Sequence, residues 1–133
     1  MTEEAKAFWE RAVRTLDAAR KNLLIDPDTA ASRAYYAALY AVSAHFALQG
    51  KSFEKHTALE AAVHRDLVRT GLWPKELGAA YTRLMQIRAR GDYGGAKHVS
   101  PDAADEAVRS AAELVRAVAQ VNPAEFTDSF GHS

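Results

Sequence analysis

The chain has 133 residues, a formal net charge of zero and no cysteine. This is room for one domain with its own core, while disulfides, thiolate zinc sites and thiol nucleophiles are excluded and a zero charge balance argues against a non-specific nucleic-acid binder. Alanine dominates, Leu, Glu and Arg are plentiful, and strand-favouring Ile, Val and Thr are sparse, a mix that predicts an all-α protein.

The first helix is expected from about Glu3 to Leu24, because Ala5, Phe8, Trp9, Ala12, Leu16, Ala19 and Leu23 recur at three- and four-residue spacing. Asp26-Pro27-Asp28 ends it and starts the next: proline suits a first helical turn, and either aspartate can cap free N–H groups. The second helix is expected from about Asp28 to Leu48. At about 100° per residue, Ala31, Tyr35, Leu39, Val42 and Phe46 make one stripe. Ser32, Tyr36, Tyr40 and Ser43 make a second, more polar stripe beside it. Two occupied faces place this helix centrally or at a subunit contact, with Gly50 as its C-cap. Gln49 to His56 reads as a polar connector. A short third helix follows near Thr57 to Arg69, closed by Gly71.

Pro74 opens a fourth helix, from about Lys75 to Arg90, and Gly94-Gly95 breaks the pattern. Ser100-Pro101-Asp102 is a strong start signal for a fifth helix reaching about Val121, with Ala104, Val108, Ala111, Val115 and Val118 inward. Asn122-Pro123 ends it, leaving 122–133 as a tail, frayed from Ala124. Mostly short connections make successive helices antiparallel. The expected architecture is one domain, 1–121: an up-down four-helix bundle with an additional short helix, five helices in total. No apolar run is long enough to span a membrane, and the polar start Thr2-Glu3-Glu4 is unlike a signal peptide, so a cytoplasmic location is expected.

The charges are unevenly distributed. Residues 1–50 carry six basic and six acidic side chains, residues 51–98 nine and five, and residues 99–133 two and six. The basic middle third also holds His56, His64 and His98. Either these charges cancel when helices pack, or they make a shallow basic patch for phosphate or RNA. Within this third lies Arg88-Ala89-Arg90-Gly91-Asp92-Tyr93. With Leu77 as zero on the fourth helix, Tyr81 falls near about +40°, Leu84 near about −20° and Arg88 near about +20°. Arg88 therefore lies on the apolar stripe, where a charge needs a partner or a purpose. Arg90 falls far round on the solvent side. Arg88 has two readings: an ion pair with Asp92 or a cap on helix carbonyls, or a bidentate phosphate ligand with Asp92 and Tyr93 alongside.

Ser32-Arg33-Ala34-Tyr35-Tyr36-Ala37-Ala38, Lys55-His56 and Arg88-x-x-Gly91-Asp92-Tyr93, in this order over roughly residues 5–120, resemble the HEPN domain, more narrowly its small stand-alone prokaryotic members. The resemblance implies a dimerising helical bundle, often encoded beside a minimal nucleotidyltransferase in a toxin–antitoxin pair. It also implies a route to metal-independent RNA cleavage, in which an arginine stabilises the pentavalent phosphate and a histidine four to six residues beyond moves protons. Here the chain departs from the family: after four intervening residues comes Tyr93, not histidine, and an unperturbed phenol, with pKa about 10, is a poor general base.

Two functions follow as expectations. The first is a dimeric interaction module that binds a nucleotide, RNA or a nucleotidyltransferase partner. The second is an endoribonuclease toxin using Arg88 with Tyr93, Asp92 or His98. Arg88, Arg90, Lys55 and His56 are the candidate phosphate ligands, and Ser32, Tyr36 and Tyr40 the candidate dimer contact. Tyr35, Tyr36 and Tyr40 can alternatively be read as stacking platforms for RNA bases. Neither a cofactor nor a metal site is expected: His56 and His64 are eight residues apart, too far for a pair on adjacent turns, and His45 lies beside an apolar stripe.

Overall fold

A computed structural model describes residues 2–93 and 98–126 of the chain. It contains five helices: α1 Glu3–Asn22, α2 Pro27–Ala47, α3 His56–Ala62, α4 Lys75–Tyr93 and α5 Pro101–Val121. α3 runs directly into a π-helical segment, Val63–Val68. Among the described residues there is no strand, and no helix is long and apolar enough to cross a membrane.

The helix starts follow from local chemistry. Thr2 Oγ1 accepts the Ala5 N–H at 3.1 Å. Asp26 accepts from the Asp28 N–H at 3.2 Å and from the Thr29 hydroxyl at 2.6 Å. Ser100 Oγ accepts the Ala103 N–H at 3.1 Å. Each cap satisfies a backbone donor that the first helical turn leaves without a partner. Pro27 and Pro101 occupy first-turn positions, where a missing N–H costs nothing. α2 closes at Gly50, with φ +73°, and the Lys51 N–H reaches back to the Phe46 carbonyl at 3.0 Å.

α2 is the central element, packed against α1, α5 and α4. Its expected inward stripe, Ala31, Tyr35, Leu39, Val42 and Phe46, is buried, and Ser32, Tyr36, Tyr40 and Ser43 are half-buried beside it. Ala30, Ala34, Ala37, Ala38, Ala41 and Ala44 are also fully buried. Small side chains on so many sides let neighbouring helices approach α2 closely.

The structure departs from the sequence expectation at four boundaries. α1 ends at Asn22, leaving Leu24 and Ile25 100% and 75% exposed in the turn. His56 is the first residue of α3 rather than the last of the connector. α4 does not stop at Arg90 but continues through Gly91 and Asp92 to Tyr93. An Arg88–Asp92 ion pair spans that added turn. Gly91 lets the chains meet closely there: a Cβ on it would stand 3.3 Å from the Asp28 carbonyl oxygen and 3.4 Å from Val99 Cγ2, a tight contact. Finally, the stretch after α5 is not frayed as far as Phe126. That ring is 2% exposed and stacks on Trp9, with centroids 4.6 Å apart and planes 13° from parallel, because aromatic burial offsets the entropy of fixing a few residues. The rest of the expected tail, 127–133, lies outside the described residues.

Candidate functional site

The helical phase that turns Arg88 toward the bundle brings its side chain to α2, where it is 20% exposed. Nη2 donates to the Tyr36 hydroxyl oxygen at 2.9 Å. Nε stands 2.8 Å from Asp92 Oδ2, but without the alignment of a good hydrogen bond, so the contact is an ion pair first. The guanidinium carbon lies 5.4 Å from the Tyr36 ring centroid and 5.8 Å from that of Tyr35, within reach of the quadrupole of both rings. Of the two readings open for Arg88, the ion pair with Asp92 is present, with the arginine side chain mostly covered and its Nε out of solvent.

Tyr36 is the hub. The His56 ring stands 5.8 Å from Tyr36, nearly edge-on, and 5.8 Å from Tyr35. Arg33, one turn earlier on α2, lays its guanidinium 4.9 Å over the Tyr36 ring. The aromatic row continues to Tyr40, 6.0 Å from Tyr36, which stacks on Phe8 at 6.5 Å and carries Arg11 at 4.6 Å. Beneath this surface, Tyr35 and Tyr81 are fully buried, with ring centroids 6.1 Å apart. Burial pushes the Tyr35 phenol up to about 12 and raises Tyr81 further in the same direction. Neither hydroxyl makes a well-formed hydrogen bond among the described residues, although the two phenols are close enough to interact. Both stay neutral and form a low-polarity floor, which strengthens charge interactions above it.

The sequence-derived candidates are therefore divided. Arg88, Asp92, Tyr36 and His56 come together, with Ser32 and Tyr40 a turn to either side of Tyr36 on the half-buried stripe. Lys55 is exposed just ahead of α3. Arg90 is exposed on the solvent side of α4, as its phase requires. Tyr93 closes α4, and its side chain lies outside what the structure describes.

His98 is engaged elsewhere. Its Nδ1 is 2.7 Å from Asp28 Oδ2, while Asp28 Oδ1 accepts the Val99 N–H at 2.7 Å. That N–H, and then the imidazole, hold the Asp28 carboxyl below its usual range. The contact clips the entry to α5 onto the start of α2.

The other described histidines face different partners. His64 Nε2 is 2.9 Å from Thr82 Oγ1, whose hydroxyl donates to Glu60 Oε2 at 2.6 Å. His45 is 4% exposed, and its Nδ1 accepts from Asn122 Nδ2 at 2.9 Å. Among the described residues no group of three or more His, Asp or Glu side chains is arranged to hold a metal ion.

Sequence reasoning missed two participants, Arg11 and Arg33, and the Asp28 contact that draws His98 away. Arg33 was within reach, since it precedes Tyr36 by three residues on one helix. Arg11 and Asp28 act across helices, and no spacing rule connects Asp28 to a histidine seventy positions away.

The family model described as the HEPN domain matches residues 5–121, a span that takes in all of these groups. The chain is also 42% identical to a UPF0332 protein of Thermotoga maritima over 100 residues, covering 71% of this chain and 74% of that one. A UPF0332 protein of Gloeobacter violaceus is 30% identical over 120 residues, covering 87% and 94%.

Proposed function

Because the chain belongs to the HEPN domain family, a family of helical, nucleotide- and RNA-related modules, we propose that it is a dimeric phosphate-recognising module acting beside a minimal nucleotidyltransferase in a toxin–antitoxin-type pair. The observation that carries this reading is the setting of Arg88. Its guanidinium is oriented by Tyr36, backed by two aromatic faces and already holding an anion, the Asp92 carboxylate. A nucleotide or RNA phosphate takes the place of that carboxylate and gains a bidentate fit that the carboxylate has in this pose only in part. Asp92, 30% exposed on the last turn of α4, can turn outward to make room. Lys55, His56 and Arg90 supply further positive or hydrogen-bonding groups at the margin. The half-buried stripe of Ser32, Tyr36 and Tyr40 is the surface a second copy covers.

Titration of the purified protein with AMP and with a short single-stranded RNA tests the reading. Losing a charge-assisted hydrogen bond of about 1.5–3 kcal/mol makes Arg88→Ala bind at least about tenfold more weakly. Asp92→Asn, which removes the competing anion, binds more tightly than wild type. Wild-type protein that binds neither ligand, or Arg88→Ala that binds like wild type, sinks the phosphate reading. A solution mass equal to the 14.5 kDa of one chain, rather than about twice it, sinks the dimer.

A second reading, metal-independent RNA cleavage, is favoured by one observation: an imidazole, His56, stands at the same tyrosine that holds Arg88.

A further inference from the structure

The far end of α2 holds a polar network that phosphate recognition does not use. His45 lies nine residues beyond Tyr36, about 14 Å along the helix, and is 4% exposed. The Asn122 amide nitrogen Nδ2 donates to His45 Nδ1 at 2.9 Å and to the Val118 carbonyl at 2.9 Å. Both hydrogens of that amide are engaged, and turning it over would set its oxygen against the Val118 carbonyl. The arrangement therefore requires His45 Nδ1 to carry no proton.

Asn122 is also where the chain turns back after α5. Its carbonyl accepts the Phe126 N–H at 3.0 Å and the Glu125 N–H at 3.2 Å. Phe126 is the ring that stacks on Trp9 of α1. The imidazole thus holds the side chain of Asn122, and the backbone of Asn122 holds the segment whose aromatic ring covers α1. Residues 122–126 form a strap fastened at one histidine.

We propose that His45 is a pH-sensitive fastening: a proton on Nδ1 turns the acceptor into a donor, expels the Asn122 amide and releases the strap from Trp9. The charged groups around the ring do not take the place of the strap. Asp66, on the π-helical segment, favours the imidazolium, but Arg65 already holds that carboxylate. Lys51, on the connector, opposes it. The Gln49 amide, 3.4 Å from Nε2, is neutral, and Glu125 on the strap is exposed. Burial is the largest influence and disfavours the charged ring while the strap is closed. An open strap lets water reach the ring and restores an ordinary imidazole, with pKa about 6.5. The open form then binds the proton more tightly than the closed one, so acid favours opening and neutral pH favours closure.

Hydrogen exchange read by NMR on the full chain tests this. The Phe126 amide reports opening through its protection factor, corrected for the intrinsic pH dependence of exchange. Between pH 6.5 and 4.5 an ordinary imidazole favours the open form by about 50-fold if the closed form takes no proton. Protection at Phe126 should therefore fall by at least about tenfold over that range, while amides in the middle of α2 stay protected. The imidazole signal of His45 should titrate with the same midpoint. His45→Asn places a non-titrating oxygen near the position of Nδ1 and should hold the Phe126 protection constant. Asn122→Asp gives an imidazolium a carboxylate partner and should keep the strap closed in acid.

Phe126 protection that is equal at the two pH values in wild type, or that falls as far in His45→Asn, overturns the proposal. So does a loss shared by the α2 amides, which is unfolding of the whole chain rather than release of the strap. Should neither variant fold, wild type decides alone: a His45 midpoint that differs from the midpoint of Phe126 deprotection overturns it.

Discussion

His45 shows how one buried residue can set the pH response of the whole fold. It sits in α2 at 4% exposure, and burial, partly opposed by its hydrogen bond with Asn122, lowers its proton affinity in the folded state. The unfolded chain then binds a proton more readily than the folded one, so stability is full above the unfolded imidazole pKa of about 6.5 and falls as pH drops below it. Asp28 contributes in a lower window, because its carboxyl is held below the usual range by the Val99 N–H and His98; its share is present above the unfolded carboxylate pKa of about 3.9 and lost below it. Urea midpoints at pH 7.5 and 5.5 check the first statement: wild type should lose more on acidification than His45→Gln does. Equal losses in the two proteins would remove His45 from this role. The contrast between Arg88 and Arg90 belongs to the same scale. Two residues apart, one is fixed on Tyr36 and Asp92 and the other is exposed, and helical phase alone separates them.

At the scale of the element, caps and close approaches decide where helices begin and how they meet. Ser100 holds the Ala103 N–H, and the chain just ahead of it is tied to Asp28. Ser100→Ala should destabilise by about 0.5–2 kcal/mol, and Ser100→Gly by only a few tenths, as read from urea unfolding; a Ser100→Ala midpoint equal to that of wild type would show that the cap bond contributes nothing. Elsewhere an element departs from regularity where it packs closely on a neighbour. The π-helical segment Val63–Val68 faces Gly78 of α4, where a Cβ would stand 2.8 Å from Val68 Cγ2 and 3.0 Å from His64. No glycine rule places a π turn in a sequence, so this segment reads simply as the end of a short helix. The stripes of α1, α2 and α5 were legible because apolar side chains recur with the helical period over five turns or more. The end of α4 was not: the helix was expected to stop at about Arg90, with Gly94-Gly95 breaking the pattern, and the turn beyond it packs Gly91 close to Asp28, which no local period records.

The molecule as a whole is closed at one end by residues that a reading of composition assigns to a tail. Phe126 covers Trp9, and Asn122 caps α5 while bonding to His45. Phe126→Ala should therefore cost about 3 kcal/mol, the lower end of the range for a buried phenylalanine, since a chain end can partly collapse into the space. A denaturation midpoint unchanged in that variant would show that the stack contributes little. The uneven charges along the chain take a comparable turn in three dimensions. Some charges of the basic middle third are neutralised locally: Arg88 is paired with Asp92, Arg65 with Asp66, and His98 with Asp28. What remains distinctive is local, a row of tyrosines bearing Arg11, Arg33 and Arg88 along α1, α2 and α4.

The sequence by itself determined the helical class, the three long amphipathic helices, the capped starts of α2 and α5, and the inward direction of Arg88, since all of these depend on neighbours within a few residues along one helix. Only the tertiary structure decided which histidine shares a site with Arg88. That choice depends on α3 being carried onto Tyr36 while the entry to α5 is drawn to Asp28. Contacts between residues twenty to seventy positions apart are set by how helices pack, and no local period records them.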